Sequence, residues 1–548
     1  MTLETQNGHC EEHLPLEIDR MSITLGHGAG LRVVDDFSLS VRKGEIVGLV
    51  GESGSGKSVT CLAAMGLLSE EWQIDGHIQV ANTHIDRTTD RKDLLSLRGR
   101  GAAMVFQDAN ASLNPIQKVG KQLTDTVARL RGVSRSQARQ TALDLLRQVE
   151  MPDPEERFHS YPFQLSGGQN QRVMIALALA GKPELLFADE PTTALDVTVQ
   201  SQILNLIRKL RDETGMGVVF VTHDLGVVSE LCDTVAVMYK GKLLERGSVE
   251  QIMTNPQNDY TKKLLAAMPA LPHDDPGPST PPQSKIADEA LLRLRNVACD
   301  YKTRKGTFRA VEDVSLALRT GDSLAVIGES GSGKSTISKL MLGIEPPSEG
   351  SALFEGEPVP LLGTREYKPF ARKVQLVPQN PYLSLDPRAT LGDQIEEPFV
   401  IHGIGSPAER FVRRNELLEA VQLTPAHGER YPHEVSGGQC QRAVIARALA
   451  LEPKLLICDE ATASLDVSVQ ARIIELLQDL QEKFHLSLVF VTHDLRLIHG
   501  LCNRVAVMCK GELVELNRTD AMFANPRHPY TRELLAAIPD VLSQSAAE

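Results

Sequence analysis

Short apolar runs alternate with longer stretches whose apolar residues recur every three or four positions. Residues 45–50 (Glu-Ile-Val-Gly-Leu-Val), 185–188 (Leu-Leu-Phe-Ala) and 217–222 (Gly-Val-Val-Phe-Val-Thr) are apolar on both alternating faces. Strands of this kind suit a parallel sheet covered by helices on both sides. A helix is predicted from about Lys57, directly after a glycine-rich loop, and residues 173–180 read as buried helix. The segment from about 110 to 165 has a helical pattern and separates two chemical motifs, so a helical subdomain inserted into an α/β core is expected. No run reaches 18 apolar residues, so no membrane-spanning helix is encoded.

The pattern occurs twice. Gly51-Glu-Ser-Gly-Ser-Gly-Lys57-Ser58 returns as Gly328-Glu-Ser-Gly-Ser-Gly-Lys334-Ser335. Ser166-Gly-Gly-Gln169 returns as Ser436-Gly-Gly-Gln439, and Val221-Thr-His223-Asp224 as Val491-Thr-His493-Asp494. Asn255-Pro-x-x-x-Tyr260-Thr returns as Asn525-Pro-x-x-x-Tyr530-Thr. A repeat of this size is a duplicated domain, since solenoid repeats run to only about 20–50 residues. Residues 269–284 are rich in proline and cannot bury a core. The expected organisation is a first domain over 1–268, a linker over 269–287 and a second domain over 288–548.

The formal net charge of −13 argues against a nucleic-acid binder, whose footprint is a basic patch. The first twenty residues carry Glu4, Glu11, Glu12 and Asp19 and no apolar core, so no signal peptide is expected. The eight cysteines form no Cys-x-x-Cys pair and are expected to be free thiols.

Gly-x-x-x-x-Gly-Lys-Ser after a buried strand is a P-loop. Gly51, Ser53, Gly54 and Gly56, with Gly328, Ser330, Gly331 and Gly333, let backbone amides wrap phosphates. Lys57 and Lys334 reach the outer phosphates, and the hydroxyls of Ser58 and Ser335 ligate Mg²⁺. Asp189-Glu190 and Asp459-Glu460 follow apolar strands, which puts them at the sheet's ligand crevice. The aspartate suits the Mg²⁺ shell and the glutamate suits a general base for water. Ser166 and Ser436 open helices, where they act as caps and where exposed amides can bind an anion.

P-loop, glutamine, Ser-Gly-Gly-Gln, Asp-Glu and histidine, in this order and twice over, resemble the ATP-binding-cassette (ABC) ATPase family. The resemblance covers nearly the whole chain. It implies two α/β domains, each a RecA-like core with an antiparallel β part and an inserted helical subdomain, binding ATP and Mg²⁺ and pairing head to tail. One composite site would join Lys57, Ser58, Gln107, Asp189, Glu190 and His223 to Ser436, Gly438 and Gln439. The other would join Lys334, Ser335, Gln379, Asp459, Glu460 and His493 to Ser166, Gly168 and Gln169. The glutamines are expected to sense the γ-phosphate and share the metal; Asp196 and Asp466 fall on the family's dimer-crossing loop. Tyr301 stands at the adenine-stacking position of the second domain, whereas the first has Leu25, with His27 two residues on as a substitute.

The tails and the Leu-Asn-Pro115 and Leu-Asp-Pro387 segments are similar to those of importer ATPases for oligopeptides, dipeptides and nickel. Such a system implies two integral-membrane permeases, an extracytoplasmic binding protein and a place on the cytoplasmic face of a bacterial membrane. No nucleic-acid partner is expected. An iron–sulfur cluster carried by some relatives is not expected, because residues 531–548 and the linker contain no cysteine. Ala461 departs from the usual proline, seen here as Pro191, and is expected to alter loop stiffness only. The alternative is a soluble tandem ABC protein acting on ribosomes. Those have a charged helical linker and usually lack the histidine. A DNA-repair ATPase would need zinc-ligand cysteine pairs.

Overall fold

The computed structural model describes residues 14–26, 30–86, 88–193, 195–266, 290–303, 306–463 and 465–538. The linker 269–287 and His27 lie outside them. Packing divides the chain into two compact units, one essentially the chain up to Ala266 and one running from there to Ile538.

Each unit has the same two sheets. In the first, a six-stranded sheet runs in the order Lys242–Ser248, Thr234–Tyr239, Ile46–Val50, Gly217–Thr222, Leu185–Asp189, Ala102–Val105. All pairings are parallel except the Thr234–Tyr239/Lys242–Ser248 hairpin. The P-loop strand Ile46–Val50 and strand Gly217–Thr222 are buried throughout, as their unbroken apolar runs require. A four-stranded sheet, antiparallel throughout, holds Leu31–Val41, Leu16–Leu25, Trp72–Val80 and Thr83–His84. The second unit repeats the design, with Ser323–Ile327 between Ser487–Thr492 and Arg504–Cys509.

The helical insertion forms as the patterns require. In the first unit Val119–Arg131 ends at Gly132 in the left-handed conformation (φ 65°), and Arg135–Gln148 starts at a Ser134/Gln137 capping box. In the second unit Leu391–His402 and Pro407–Ala420 correspond, the latter opened by a Ser406/Glu409 box. Among the described residues no helix is long and apolar enough to cross a membrane.

Candidate ATP sites

Each P-loop leaves a buried strand and enters a helix, Lys57–Ala64 or Lys334–Met341. The turn into the helix is made by Gly56 and Gly333, both at φ 102°. That region is open to glycine and strained for other residues. A Cβ on Gly51 would lie 2.0 Å from the Met238 carbonyl oxygen, and on Gly328 2.2 Å from that of Met508. The loop is therefore pressed onto the neighbouring strand with no room for a side chain. Ser53, Gly54, Ser330 and Gly331 are exposed at the crest. Lys57 Nζ donates to the carbonyls of Gly51 (2.7 Å) and Glu52 (2.8 Å). Lys334 makes the same bonds to Gly328 (2.7 Å) and Glu329 (2.8 Å). Burial lowers the Lys334 pKa against the pull of Glu460 and Asp459.

The acidic pair ends the adjacent strand. Ser58 Oγ donates to Asp189 Oδ1 at 3.0 Å, so the two expected metal ligands already touch. Burial raises the Asp189 pKa against the Ser58 bond. In the second unit Asp459 Oδ1 is buried with no hydrogen-bond partner among the described residues, and burial raises its pKa too. A buried carboxylate oxygen without a donor is costly unless a cation completes it. A hard, oxygen-seeking ion such as Mg²⁺ suits this donor set of hydroxyl and carboxylate.

Glu190 and Glu460 occupy the left-handed region, at φ 45° and 49°. Non-glycine residues adopt it at a cost, and such outliers gather at functional sites. Both stay pinned to the next strand, Glu190 N donating to Val221 O (3.0 Å) and Glu460 N to Val491 O (2.8 Å). Three donors converge on the Glu190 carboxylate: Gln107 Nε2 (2.8 Å) and Thr193 Oγ1 (3.0 Å) on one oxygen, His223 Nδ1 (3.2 Å) on the other. Glu460 has Gln379 Nε2 at 2.7 Å and His493 Nδ1 at 3.5 Å. Burial alone would raise the Glu190 pKa, but the His223 bond and charge, with Thr193 and Lys57, outweigh it and bring it to about 2. His223 is raised in turn, since Glu190 and Asp224 outweigh its desolvation. Glu460 is lowered, His493 and Lys334 outweighing burial. Sequence reasoning missed Thr193, whose spacing three residues after the glutamate was the available signal.

The Ser-Gly-Gly-Gln elements cap helices Gly167–Leu179 and Gly437–Leu449. Ser166 Oγ accepts from Gln169 N while Gln169 Oε1 accepts from Ser166 N, and Ser436 and Gln439 do the same. A Cβ on Gly168 would lie 2.5 Å from Val199 Cγ1, and on Gly438 2.6 Å from Val469 Cγ1. Asp466 caps Val467–Phe484 through Val469 N at 2.9 Å, and Asp196 is buried just before Val197–Thr214.

Strand register bears on the expected equivalence of Leu25 and Tyr301. Leu25 faces Leu31 across its hairpin, and Tyr301 faces Phe308 at the equivalent rung. Leu25 and Tyr301 are therefore equivalent positions, and each is partly buried. Ala461 is buried after Glu460 as Pro191 is after Glu190, and both turns keep the glutamate left-handed.

The family described as ABC transporter matches residues 34–193 and 311–463. The chain is an ABC transporter ATPase. The C-terminal region of oligopeptide/dipeptide transporters matches this ABC ATPase at 244–306 and 514–546. Glutathione import ATP-binding protein GsiA of Escherichia coli K12 is 44% identical over 543 residues, 93% of this chain and 87% of that protein. Its counterpart in Salmonella paratyphi A is 43% identical over 556 residues, 96% of this chain and 89% of that protein. A solved dimeric cassette in a post-hydrolysis state bound to ADP and Pi is 30% identical, covering 42% of this chain and 98% of that one, with a TM-score of 0.39. Like its family, this ABC ATPase works on ATP with Mg²⁺.

Proposed function

We propose that the chain is the energy-coupling subunit of a bacterial importer for short peptides, carrying both ATPase domains, at the cytoplasmic face of the membrane. The observation that carries this reading is the glutamate–histidine–glutamine cluster beside a P-loop, present twice in a chain with peptide-transporter tails. The residue-level assignment follows from chemistry. P-loop amides with Lys57 and Lys334 hold the phosphates; Ser58, Gln107 and Asp189, and Ser335, Gln379 and Asp459, would hold Mg²⁺. The metal supplies charge neutralisation on the phosphates. Glu190 and Glu460 take the proton of the attacking water. While His223 holds it, Glu190 at about 2 is a weak base; transfer of the His223 hydrogen bond to another acceptor would restore its basicity. Ser166, Gly168 and Gln169, and Ser436, Gly438 and Gln439, present helix-start amides suited to the nucleotide of the other domain.

The exposed apolar residues of the helical insertions support two membrane partners. Ile116 is 82% and Phe163 74% exposed in the first unit, and Leu383 is 86% exposed in the second. Short cytoplasmic helices of permeases fit such surfaces, with a binding protein acting through the complex. Glutathione is the first substrate to test, because the GsiA relatives are named for its import. Affinity capture from membranes of cells expressing the neighbouring permeases should recover both of them. ATP-dependent uptake of labelled glutathione or di- and tripeptides into vesicles should require the chain. Recovery of ribosomes instead would support the soluble tandem-ABC alternative.

A further inference from the structure

The tail motif contributed only a family likeness in the sequence, yet it reaches the nucleotide loop. Tyr260 Oη accepts a hydrogen bond from the Glu52 amide at 3.3 Å, and Tyr530 Oη accepts one from the Glu329 amide at 3.1 Å. The two bonds span 208 and 201 residues and recur independently in the two units. The peptide involved is the one whose carbonyl, Gly51 O or Gly328 O, accepts from the P-loop lysine at 2.7 Å. One peptide group thus links tail tyrosine and lysine, and each bond polarises the other.

The tyrosine is aimed rather than incidental. Glu245, on Lys242–Ser248, accepts from Gln257 N (2.6 Å) and Asn258 N (3.1 Å), which fixes the entry to helix Asp259–Ala266. Glu515 accepts from His528 N (3.0 Å), Arg527 N (3.2 Å) and Thr531 Oγ1 (2.7 Å) at the entry to Pro529–Ala536. Leu264 and Leu534 are buried at 5% and 3% exposure and seat the helices. In the first unit Tyr239 stacks on Tyr260 with ring centroids 4.2 Å apart; Cys509 occupies the matching place in the second.

We propose that Tyr260 and Tyr530 are positioning residues of the two P-loops, so that the tail forms part of each nucleotide site and sets its affinity for ATP. The hydroxyl fixes the first peptide of the loop, which keeps the loop in its phosphate-receiving shape before ATP arrives and lowers the ordering cost of binding. This rests on the P-loops being the ATP sites. Tyrosine to phenylalanine removes one oxygen and keeps the ring.

The test uses the full chain with one site silenced. Tyr260→Phe is made with Lys334→Ala, and Tyr530→Phe with Lys57→Ala, and each is titrated with ATP by fluorescence of a bound nucleotide analogue. Each is expected to bind ATP about fivefold more weakly, a value set by a hydrogen bond worth about 1 kcal/mol. KM should rise with little change in kcat, and the nucleotide-free melting temperature should stay put. Leu264→Ala and Leu534→Ala, which loosen the helix but keep the hydroxyl, should weaken ATP in the same direction. Unchanged ATP affinity in both phenylalanine variants overturns the proposal. A lowered melting temperature with unchanged affinity does so too, making the tyrosines merely structural. If Lys57→Ala with Lys334→Ala still bound ATP at wild-type strength, the site assignment itself would fail instead.

Discussion

Replacing Glu190 and Glu460 together by glutamine tests the hydrolytic chemistry most directly. The substitution keeps shape and removes the proton acceptor. General-base catalysis is worth about 10²–10⁴ in rate, or about 3–5 kcal/mol of barrier. The structure adds a second penalty. Gln107 and Thr193 donate to one oxygen of Glu190 and His223 to the other. A glutamine amide offers one acceptor oxygen and one donor nitrogen, so His223 must give up its charge-assisted bond and turn its ring nitrogen into an acceptor, at about 1 kcal/mol. That local cost falls on the carboxylate cluster and leaves the P-loop amides and Lys57 untouched. Binding of ATP should therefore persist, or tighten through loss of a negative charge near the phosphates. The double variant should release phosphate at under about 1% of the wild-type rate at saturating MgATP, while a filter assay still counts bound ATP. Turnover above about a tenth of wild type would refute the assignment of the two glutamates as bases, because no general base worth its name contributes so little.

Four further outcomes follow from the proposed sites. His223→Ala should raise the Glu190 pKa from about 2, so the acid limb of ATP hydrolysis in a Lys334→Ala background should move to higher pH; an acid limb unshifted between about pH 3 and 6 would disconnect the pair. In stability, the ionised Glu190 contributes above its ordinary 4.5 and loses that contribution as pH falls toward about 2. His223, held above its ordinary 6.5, contributes below that value and loses its share as pH rises through the raised one, which urea titrations of wild type and His223→Ala across pH 5–9 would read. An aromatic stack is worth about 0.5–1.5 kcal/mol, so the Lys57 site should bind ATP about two- to tenfold more weakly than the Lys334 site. Leu25→Tyr should close the gap, and equal affinities in the single-lysine variants would remove it. Finally, Ser166→Ala should weaken ATP at the Lys334 site and spare the Lys57 site; the reverse pattern would exclude head-to-tail pairing.

Much of each site was legible because motif chemistry constrains local geometry. A P-loop needs a strand before it and a helix after it, and an acidic pair after a buried parallel strand must emerge at the carboxyl end of the sheet. The strand at residues 217–222 and the helical insertion followed from pattern alone. Two features were not legible. The left-handed φ of Glu190 and Glu460 contradicts local preference, which would put glycine or asparagine there. It is imposed by the bond from the glutamate amide to the neighbouring strand, a tertiary effect. The tail tyrosines contact residues some two hundred positions away. A conspicuous repeat marked them, but a pattern along the chain carries no information on where a hydroxyl lands after folding.

The two halves keep their chemistry and change their faces. Lysine, glutamine, histidine and tail tyrosine recur with the same partners, because ATP presents the same phosphates to both, while the Ser58 bond to Asp189 and the Thr193 bond to Glu190 belong to the first unit. The exposed apolar residues of the helical insertions do not recur. Phe163, 74% exposed, is matched by His433 ahead of the second Ser-Gly-Gly-Gln. Ile116, 82% exposed after Asn-Pro, is matched by Arg388 after Asp-Pro. Leu383, 86% exposed, is matched by Ala111. A large apolar side chain in water gains nothing for its own fold, which makes these positions the places where the proposed membrane partners would dock. Under the proposed function the two permeases would differ at these points, since a pocket shaped for Phe163 leaves His433 with an unpaired ring nitrogen, and a groove that accepts Ile116 desolvates the Arg388 guanidinium. In the proposed importer, carrying both ATPase domains in one chain would give each complex one of each face, in fixed proportion, without a second assembly step to sort them.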